Sequence, residues 1–187
     1  MKKHIITVSG FPGSGKSSSA REIARRLGYE YFSAGDLFRH MAAERGLSVM
    51  ELNLAAENQR EVDDKVDARI RALGKEKDSF VMDSRTAFHW IPDSFKVFLD
   101  LEPQIAADRI FSHITQEGRV SQSALSSDEV LSDTMRRVES ERKRYESLYG
   151  IDFMKKDNFD LIVDTKENNL EQVIQIVIDN YQDWINP

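Results

Sequence analysis

Residues 10–17 read Gly10-Phe11-Pro12-Gly13-Ser14-Gly15-Lys16-Ser17, which fits the pattern G-x-x-x-x-G-K-[ST]. Each fixed position answers a physical demand. The glycines let the backbone curl with its N–H groups turned inward and without Cβ clashes. A helix that begins here offers the positive end of its dipole to an anion. Lys16 supplies a point charge for β- and γ-phosphates, and Ser17 a hydroxyl for Mg2+. The flanks agree with this reading. His4-Ile5-Ile6-Thr7-Val8-Ser9 is a short β-branched run that stops at Gly10, and from Lys16 the residues Ala20, Ile23, Ala24 and Leu27 share one helical face that ends at Gly28. Strand, glycine-rich turn and helix in that order make this a nucleotide-phosphate loop. Its binding residues are Gly10, Pro12, Gly13, Ser14, Gly15, Lys16, Ser17 and Ser18.

Working outward, short apolar runs alternate with helical patterns. Further strands are predicted at 31–33, 80–83, 95–99 and 161–164, and helices at 36–45, 102–114, 128–149 and 170–185. The stretch 48–73 reads as two helices with a break near Asn58; Leu52, Leu54, Ala55 and Ala56 lie in the first, and Val62, Val66, Ile70 and Leu73 in the second. This alternation predicts an α/β fold: a five-stranded parallel sheet with right-handed crossovers and flanking helices. The serine-rich stretch 121–127 is predicted to be a mobile loop.

The chain has 187 residues, enough for one domain with a real core and no need of a disulfide or metal staple. Lys and Arg total 26 against 32 Asp and Glu, a formal charge of -6. That balance argues against a dedicated binder of duplex nucleic acid or of an anionic membrane. Cysteine is absent, which removes thiolate metal sites and cysteine nucleophiles. No apolar run approaches the ~18 residues needed to cross a bilayer, and the run after Lys2 and Lys3 is too short for a signal peptide. The expectation is a cytoplasmic protein.

Asp83 closes the apolar run Phe80-Val81-Met82, where a strand-end carboxylate would sit beside the phosphate loop and hold a water of the Mg2+ shell; the alternative is an ordinary turn-capping Asp. Arg39 and Arg85 follow two strand ends at the same edge, and planar guanidiniums suit phosphate oxygens. Arg136, Arg137, Arg142, Lys143 and Arg144 form the densest basic cluster. On its helix, Leu131, Met135, Val138, Tyr145 and Tyr149 make an apolar stripe, with Arg137, Glu141 and Arg144 on another face. Spacing alone favours a charged, internally paired helix face over an arm that carries arginines to a transferring phosphate. Asp63 and Asp67, one turn apart, read either as contacts to the amino group of a base or as a solvated face. His4, His40, His89 and His113 lack metal-ligand spacing, and no Ser-His-Asp or H-E-x-x-H signature is present.

Several stretches together resemble the nucleoside monophosphate kinases, most closely the short cytidylate kinases of the archaeal type. These are ITVSGFPGSGKSS, YFSAGDLFR, the region of EVDDKVD, FVMDSR, ADRI, RVESERKRYESLYGID and FDLIVDT. The resemblance implies a P-loop NTPase fold with core 1–35, 74–109 and 150–187, a helical acceptor-binding insertion at about 36–73 and a lid at about 110–149. It implies that Arg39 and Arg85 hold the acceptor monophosphate and that Asp36 and Asp83 orient Mg2+ waters. Asp36 would thus sit in the NMP-binding set and Ser17 and Asp83 in the metal set. Lys16, Arg109, Arg137 and Arg144 would be the catalytic cations. ATP and a nucleoside monophosphate, most readily CMP or dCMP, would be the substrates and Mg2+ the cofactor. No duplex nucleic acid and no membrane is expected as a partner, and the chain would be a monomer or weak dimer. Family members carry Glu-Gly-Arg where this chain has Asp83-Ser84-Arg85.

Two other readings stay open. One is a small-metabolite kinase on the same scaffold, whose hydroxyl acceptor would need a base such as Asp36. The other is a P-loop ATPase acting as a switch or assembly factor.

Overall fold

The computed structural model describes residues 3–116 and 126–186. Most of the serine-rich stretch read as a loop lies outside the described residues; Ser126 caps the helix that follows. Five parallel strands form one sheet: β1 (Ile5–Gly10), β2 (Glu30–Ser33), β3 (Phe80–Asp83), β4 (Phe95–Asp100) and β5 (Leu161–Asp164), in the order β2-β3-β1-β4-β5. β1 is central and buried along its whole length, as suits a β-branched run in a strand covered on both faces. Eight helices lie among the described residues: α1 (Lys16–Leu27), α2 (Ala34–Glu44), α3 (Val49–Asn58), α4 (Glu61–Glu76), α5 (Ala87–Trp90), α6 (Pro103–Gln116), α7 (Ser127–Tyr149) and α8 (Leu170–Ile185). The predicted break near Asn58 is present. The single turn α5, which follows the loop after β3, has too few residues to show a periodic pattern.

Side chains alternate across β1. Ile6 and Val8 pack with Ala20 and Ile23 of α1 and Val177 of α8, while Ile5 faces Ile70 and Leu73 of α4 with Phe80. A third cluster joins Phe11 of the loop to Val138 of α7, Ala106 of α6 and Phe153. A fourth, formed by Met41, Ala42, Leu52, Ala56 and Val62, is the private core of α2, α3 and the start of α4.

The register sets the ligand edge. Val8 pairs with Asp83, and Asp83 with Ser33, so the carboxyl ends of β1, β3 and β2 stand in one row. Ligands of open α/β sheets bind at such an edge, where the strand order reverses. Gly10 marks the end of β1. It has φ +143, and a Cβ there would lie 2.2 Å from the carbonyl oxygen of Leu99 on β4. Gly10→Ala is expected to cost about 3 kcal/mol through backbone strain and clash. In a domain of this size that lowers Tm by roughly 6–12 °C in a calorimetric melt.

Candidate active site

Ser33, Ser48, Ser126 and Asn169 cap α2, α3, α7 and α8 with a side-chain oxygen. α1 starts differently: its N-cap is Gly15 in the left-handed region, and no side chain caps it. The first N–H groups of α1 are therefore left for a ligand. Gly13 also has positive φ, +81, and the loop closes on itself through Ser14 N–H to Phe11 O at 3.2 Å. The Ser14 hydroxyl is buried and has no hydrogen-bond partner. Lys16 Nζ folds back onto Phe11 O at 2.8 Å. Burial of the ammonium, reinforced by nearby Arg85, lowers its pKa from 10.5 to about 8. Ser17 Oγ donates to Asp83 Oδ2 at 2.5 Å, which joins the end of β3 to the start of α1.

Two clefts meet at this loop. One, of about 330 Å³, is lined by Gly13, Gly15, Ser18, Arg109 and Ile110 together with Lys16 and Ser17. The other, of about 220 Å³, also reaches Lys16 and Ser17; Arg39 of α2, Asp83 and Arg85 from the end of β3, and Arg137 of α7 line it as well. Arg85 Nη1 meets Glu141 Oε2 at 2.6 Å, and Arg137 Nε donates to Glu141 Oε1 at 2.9 Å. Glu141 is 2% exposed, so one buried carboxylate bridges two guanidiniums from different parts of the chain. Deeper in the same cleft, Arg144 Nε meets Asp63 Oδ2 at 3.0 Å, and its Nη atoms donate to Asn53.

The structure thus brings Lys16, Ser17, Asp83, Arg39, Arg85, Arg137 and Arg144 to one cleft. It places other expected residues differently. Gly10 and Ser14 line neither cleft: Gly10 serves the close approach to β4, and Ser14 is buried behind the loop. Asp36 pairs with Arg39 at 2.5 Å, both about half exposed; that ion pair, not Ser17 or Asp83, takes its carboxylate. Arg109 lies on the side of the first cleft, where it donates to Thr165 O at 2.7 Å. Arg144, although it lines the same cleft as Lys16, is paired with Asp63 and Asn53.

The internal pairing expected on α7 is present in Arg137–Glu141, Arg136–Asp133 and Lys143–Glu139, with Arg136 and Lys143 exposed, but part of the charged face turns inward. Glu141 and Arg144 are buried, whereas Met135 of the expected apolar stripe is 43% exposed. Leu54 of α3 is 53% exposed. Helical periodicity ranks side chains by hydropathy, and on α7 ion pairs to Arg85 and Asp63 outweigh it. Asn53 carried no signal in the sequence. Glu141 carried one, its i−4 spacing to Arg137, but its second partner lies on another element.

A parallel sheet in this order, with a phosphate loop between β1 and α1 and an arginine-lined cleft beside it, defines a P-loop kinase. The AAA domain family matches residues 9–148. The cytidylate kinase of Haloarcula marismortui is 36% identical over 177 residues, 93% of this chain and 87% of that protein. An S-adenosylmethionine-dependent nucleotide dehydratase of Lacinutrix mariniflava is 33% identical over 183 residues, 96% of this chain and 36% of that longer protein. The crystal structure of shikimate kinase from Bacteroides thetaiotaomicron superposes with a TM-score of 0.61 at 14% identity, covering 95% of this chain and 98% of that one; at that identity the likeness is one of fold. The chain belongs to the AAA domain family of P-loop kinases, in the branch that includes the archaeal cytidylate kinases.

Glu141→Leu would leave Arg85 and Arg137 without their counter-charge, a loss of about 3–5 kcal/mol for a broken buried pair. Thermal melts in chloride and in phosphate buffer check this. Added phosphate is expected to raise the Tm of the variant more than that of the wild type, because the anion replaces the lost carboxylate. The Lys16 cation is present below pH 8 and is lost above it. ATP affinity by titration calorimetry is therefore expected to weaken above pH 8, approaching about tenfold per pH unit, the slope of one linked proton.

Proposed function

We propose that this kinase transfers the γ-phosphoryl group of ATP to the phosphate of a nucleoside monophosphate, with CMP or dCMP as the first candidates. One observation carries the reading. The donor-side cleft and a second cleft lined by Arg39, Arg85 and Arg137 share Lys16 and Ser17. A second pocket walled by guanidiniums at the phosphate loop fits an anionic acceptor. A phosphate acceptor is already a competent oxygen nucleophile and needs no base, which agrees with Asp36 being engaged by Arg39. The kinship with the Haloarcula marismortui cytidylate kinase supports cytidylate as the acceptor.

The division of labour follows from position. The loop amides and Lys16 grip the triphosphate. Arg39 and Arg85 hold the acceptor phosphate and screen its repulsion from the donor. Arg137, on α7, faces the junction of the two clefts and is suited to the charge that develops on the transferring group. Arg109 belongs to the donor side. The helices within 36–73, with their private core, would act as the acceptor-binding insertion, and 110–149 as the lid; closure would expel water that otherwise hydrolyses ATP. The residues present fit Mg2+. Ser17 and Asp83 offer adjacent hard oxygens, and a cation that keeps most of its waters needs few protein ligands. Ser17 would ligate it directly and Asp83 through a water. When bound, it would neutralise charge across the β- and γ-oxygens of ATP.

A coupled ADP-release assay with Mg-ATP against CMP, dCMP, UMP, AMP and GMP tests the proposal, with shikimate and gluconate as hydroxyl acceptors. Turnover is expected to rise at least tenfold above the ATP-only rate with CMP. Lys16→Ala is expected to lose that activity by about 10³-fold, in line with removal of a preorganised transition-state charge. Arg85→Ala is expected to raise KM for the monophosphate about 10- to 100-fold, a loss of roughly 1.4–2.8 kcal/mol, with little change in KM for ATP. Stimulation by a hydroxyl acceptor alone, or by none, would overturn the assignment.

A further inference from the structure

A further cleft, apart from the two at the phosphate loop, has a volume of about 630 Å³ and lies between α7 and the segment where α3 gives way to α4. Arg136 and Lys143 line it from α7, Arg60 from the start of α4, and Arg144 lines it too. These four cations meet one carboxylate, Glu139, in a chain whose formal charge is -6. Glu139 is already shared between Lys143 at 3.4 Å and Arg142 at 3.8 Å. Arg60 and Arg136 pair locally, with Asp64 at 3.3 Å and Asp133 at 3.2 Å, and both are well exposed. Ion pairs this exposed add little to stability and exchange readily for a better anion. Arg144 is different. It is 8% exposed, and its guanidinium is fixed by Asp63 Oδ2 at 3.0 Å and by the oxygens of Asn53. Ala56 and Leu148 add apolar surface to the same cleft.

We propose that this outer cleft is a second nucleotide site, separate from the two clefts at the phosphate loop, and that its ligand is a nucleoside triphosphate. The volume falls within the roughly 300–1,000 Å³ of small-molecule sites. Four cations against one carboxylate leave an excess of positive charge that a single phosphate does not neutralise and a chain of phosphates does. The cations stand on two walls, α7 and the start of α4, so an extended oligophosphate can engage both. Arg60 and Arg136 offer planar forks of N–H donors to phosphate oxygens, and Lys143 offers a point charge on a flexible stem. The fixed guanidinium of Arg144 is a preorganised charge that costs no side-chain ordering on binding. Ala56 and Leu148 give a sugar or base an apolar surface to cover, which an inorganic oligophosphate would leave unused.

Arg144 lines the outer cleft and the inner, guanidinium-lined cleft alike. An anion in the outer cleft therefore draws on the same guanidinium that holds Asp63, and it weakens that ion pair. Occupancy of the outer site opposes binding of a monophosphate in the inner cleft, and by linkage the monophosphate opposes occupancy by the same factor. This coupling rests on the reading of the inner cleft as an acceptor site; the outer site itself does not.

Equilibrium dialysis of the full chain against adenosine 5′-(β,γ-imido)triphosphate with Mg2+ tests the site. Two classes of binding site are expected in the wild type, one at the phosphate loop and one in the outer cleft. The double variant Arg136→Ala/Lys143→Ala, on an exposed helix face, is expected to weaken one class at least tenfold, to leave the other unchanged and to keep turnover within twofold at low ATP. Arg60→Ala, on the opposite wall, is expected to weaken the same class at least threefold. Added salt is expected to weaken it too, as it does contacts between exposed charges. Inorganic tripolyphosphate is expected to displace the nucleotide from this class at least tenfold less well than the nucleotide itself does. A single class of site in the wild type, or two classes untouched in the folded double variant, overturns the outer site. Tripolyphosphate that competes as well as the nucleotide overturns the assignment to a nucleotide. At ATP concentrations that fill the outer class, with Mg2+ in constant excess, KM for CMP is expected to rise at least threefold in the wild type and to stay flat in the double variant. A flat KM in the wild type overturns the coupling through Arg144 and leaves the site standing. A wild-type protein that phosphorylates no nucleoside monophosphate overturns the acceptor reading and the coupling, while the dialysis result still decides the outer site.

Discussion

Three cations, Lys16, Arg85 and Arg137, converge on one small cleft, and the carboxylate of Glu141 lets them stay there. Like charges this close and sheltered from water repel strongly; burial, and after it the nearby Arg85, lowers the pKa of Lys16. Glu141 bridges Arg85 and Arg137 with one oxygen each, while Asp83 provides a second negative charge from the end of β3. The cleft is therefore poised for an anion without requiring one to fold. An anion entering it would exchange contacts with an existing ion network and would not have to order a disordered one. Exchange of this kind reduces the entropy lost on binding.

The same carboxylate ties separate parts of the chain together. Glu141 and Arg137 belong to α7, and Arg85 follows β3 at the sheet edge. α7 is anchored a second time through Val138, which packs with Phe11 of the phosphate loop, and a third time through Arg144, which reaches Asp63 of α4 and Asn53 of α3. One helix thus touches the phosphate loop, Arg85 after β3, and the helices α3 and α4.

Kinship and geometry inform different levels of the description. The fold is shared with shikimate kinase at only 14% identity, and function cannot be read from fold alone. The proposal of a phosphate acceptor rests instead on the cleft beside the phosphate loop, which Arg39, Arg85 and Arg137 line.

The sequence by itself determined the β1–loop–α1 unit, the α/β class and the position of Asp83 at the end of a strand. All of these rest on local patterns: a β-branched run, glycines at a turn, a 3.6-residue period, a carboxylate at a strand end. Only the tertiary structure decided the strand order, which places β3 rather than β2 beside β1, and with it the meeting of Ser17 and Asp83. Only it showed that Met135 faces solvent while Glu141 and Arg144 face inward. The physical reason is the same in each case. Hydropathy along a helix reports the average preference of a side chain for water, but a charged group is buried when a counter-charge on another element awaits it, and that counter-charge is specified nowhere near it in the chain.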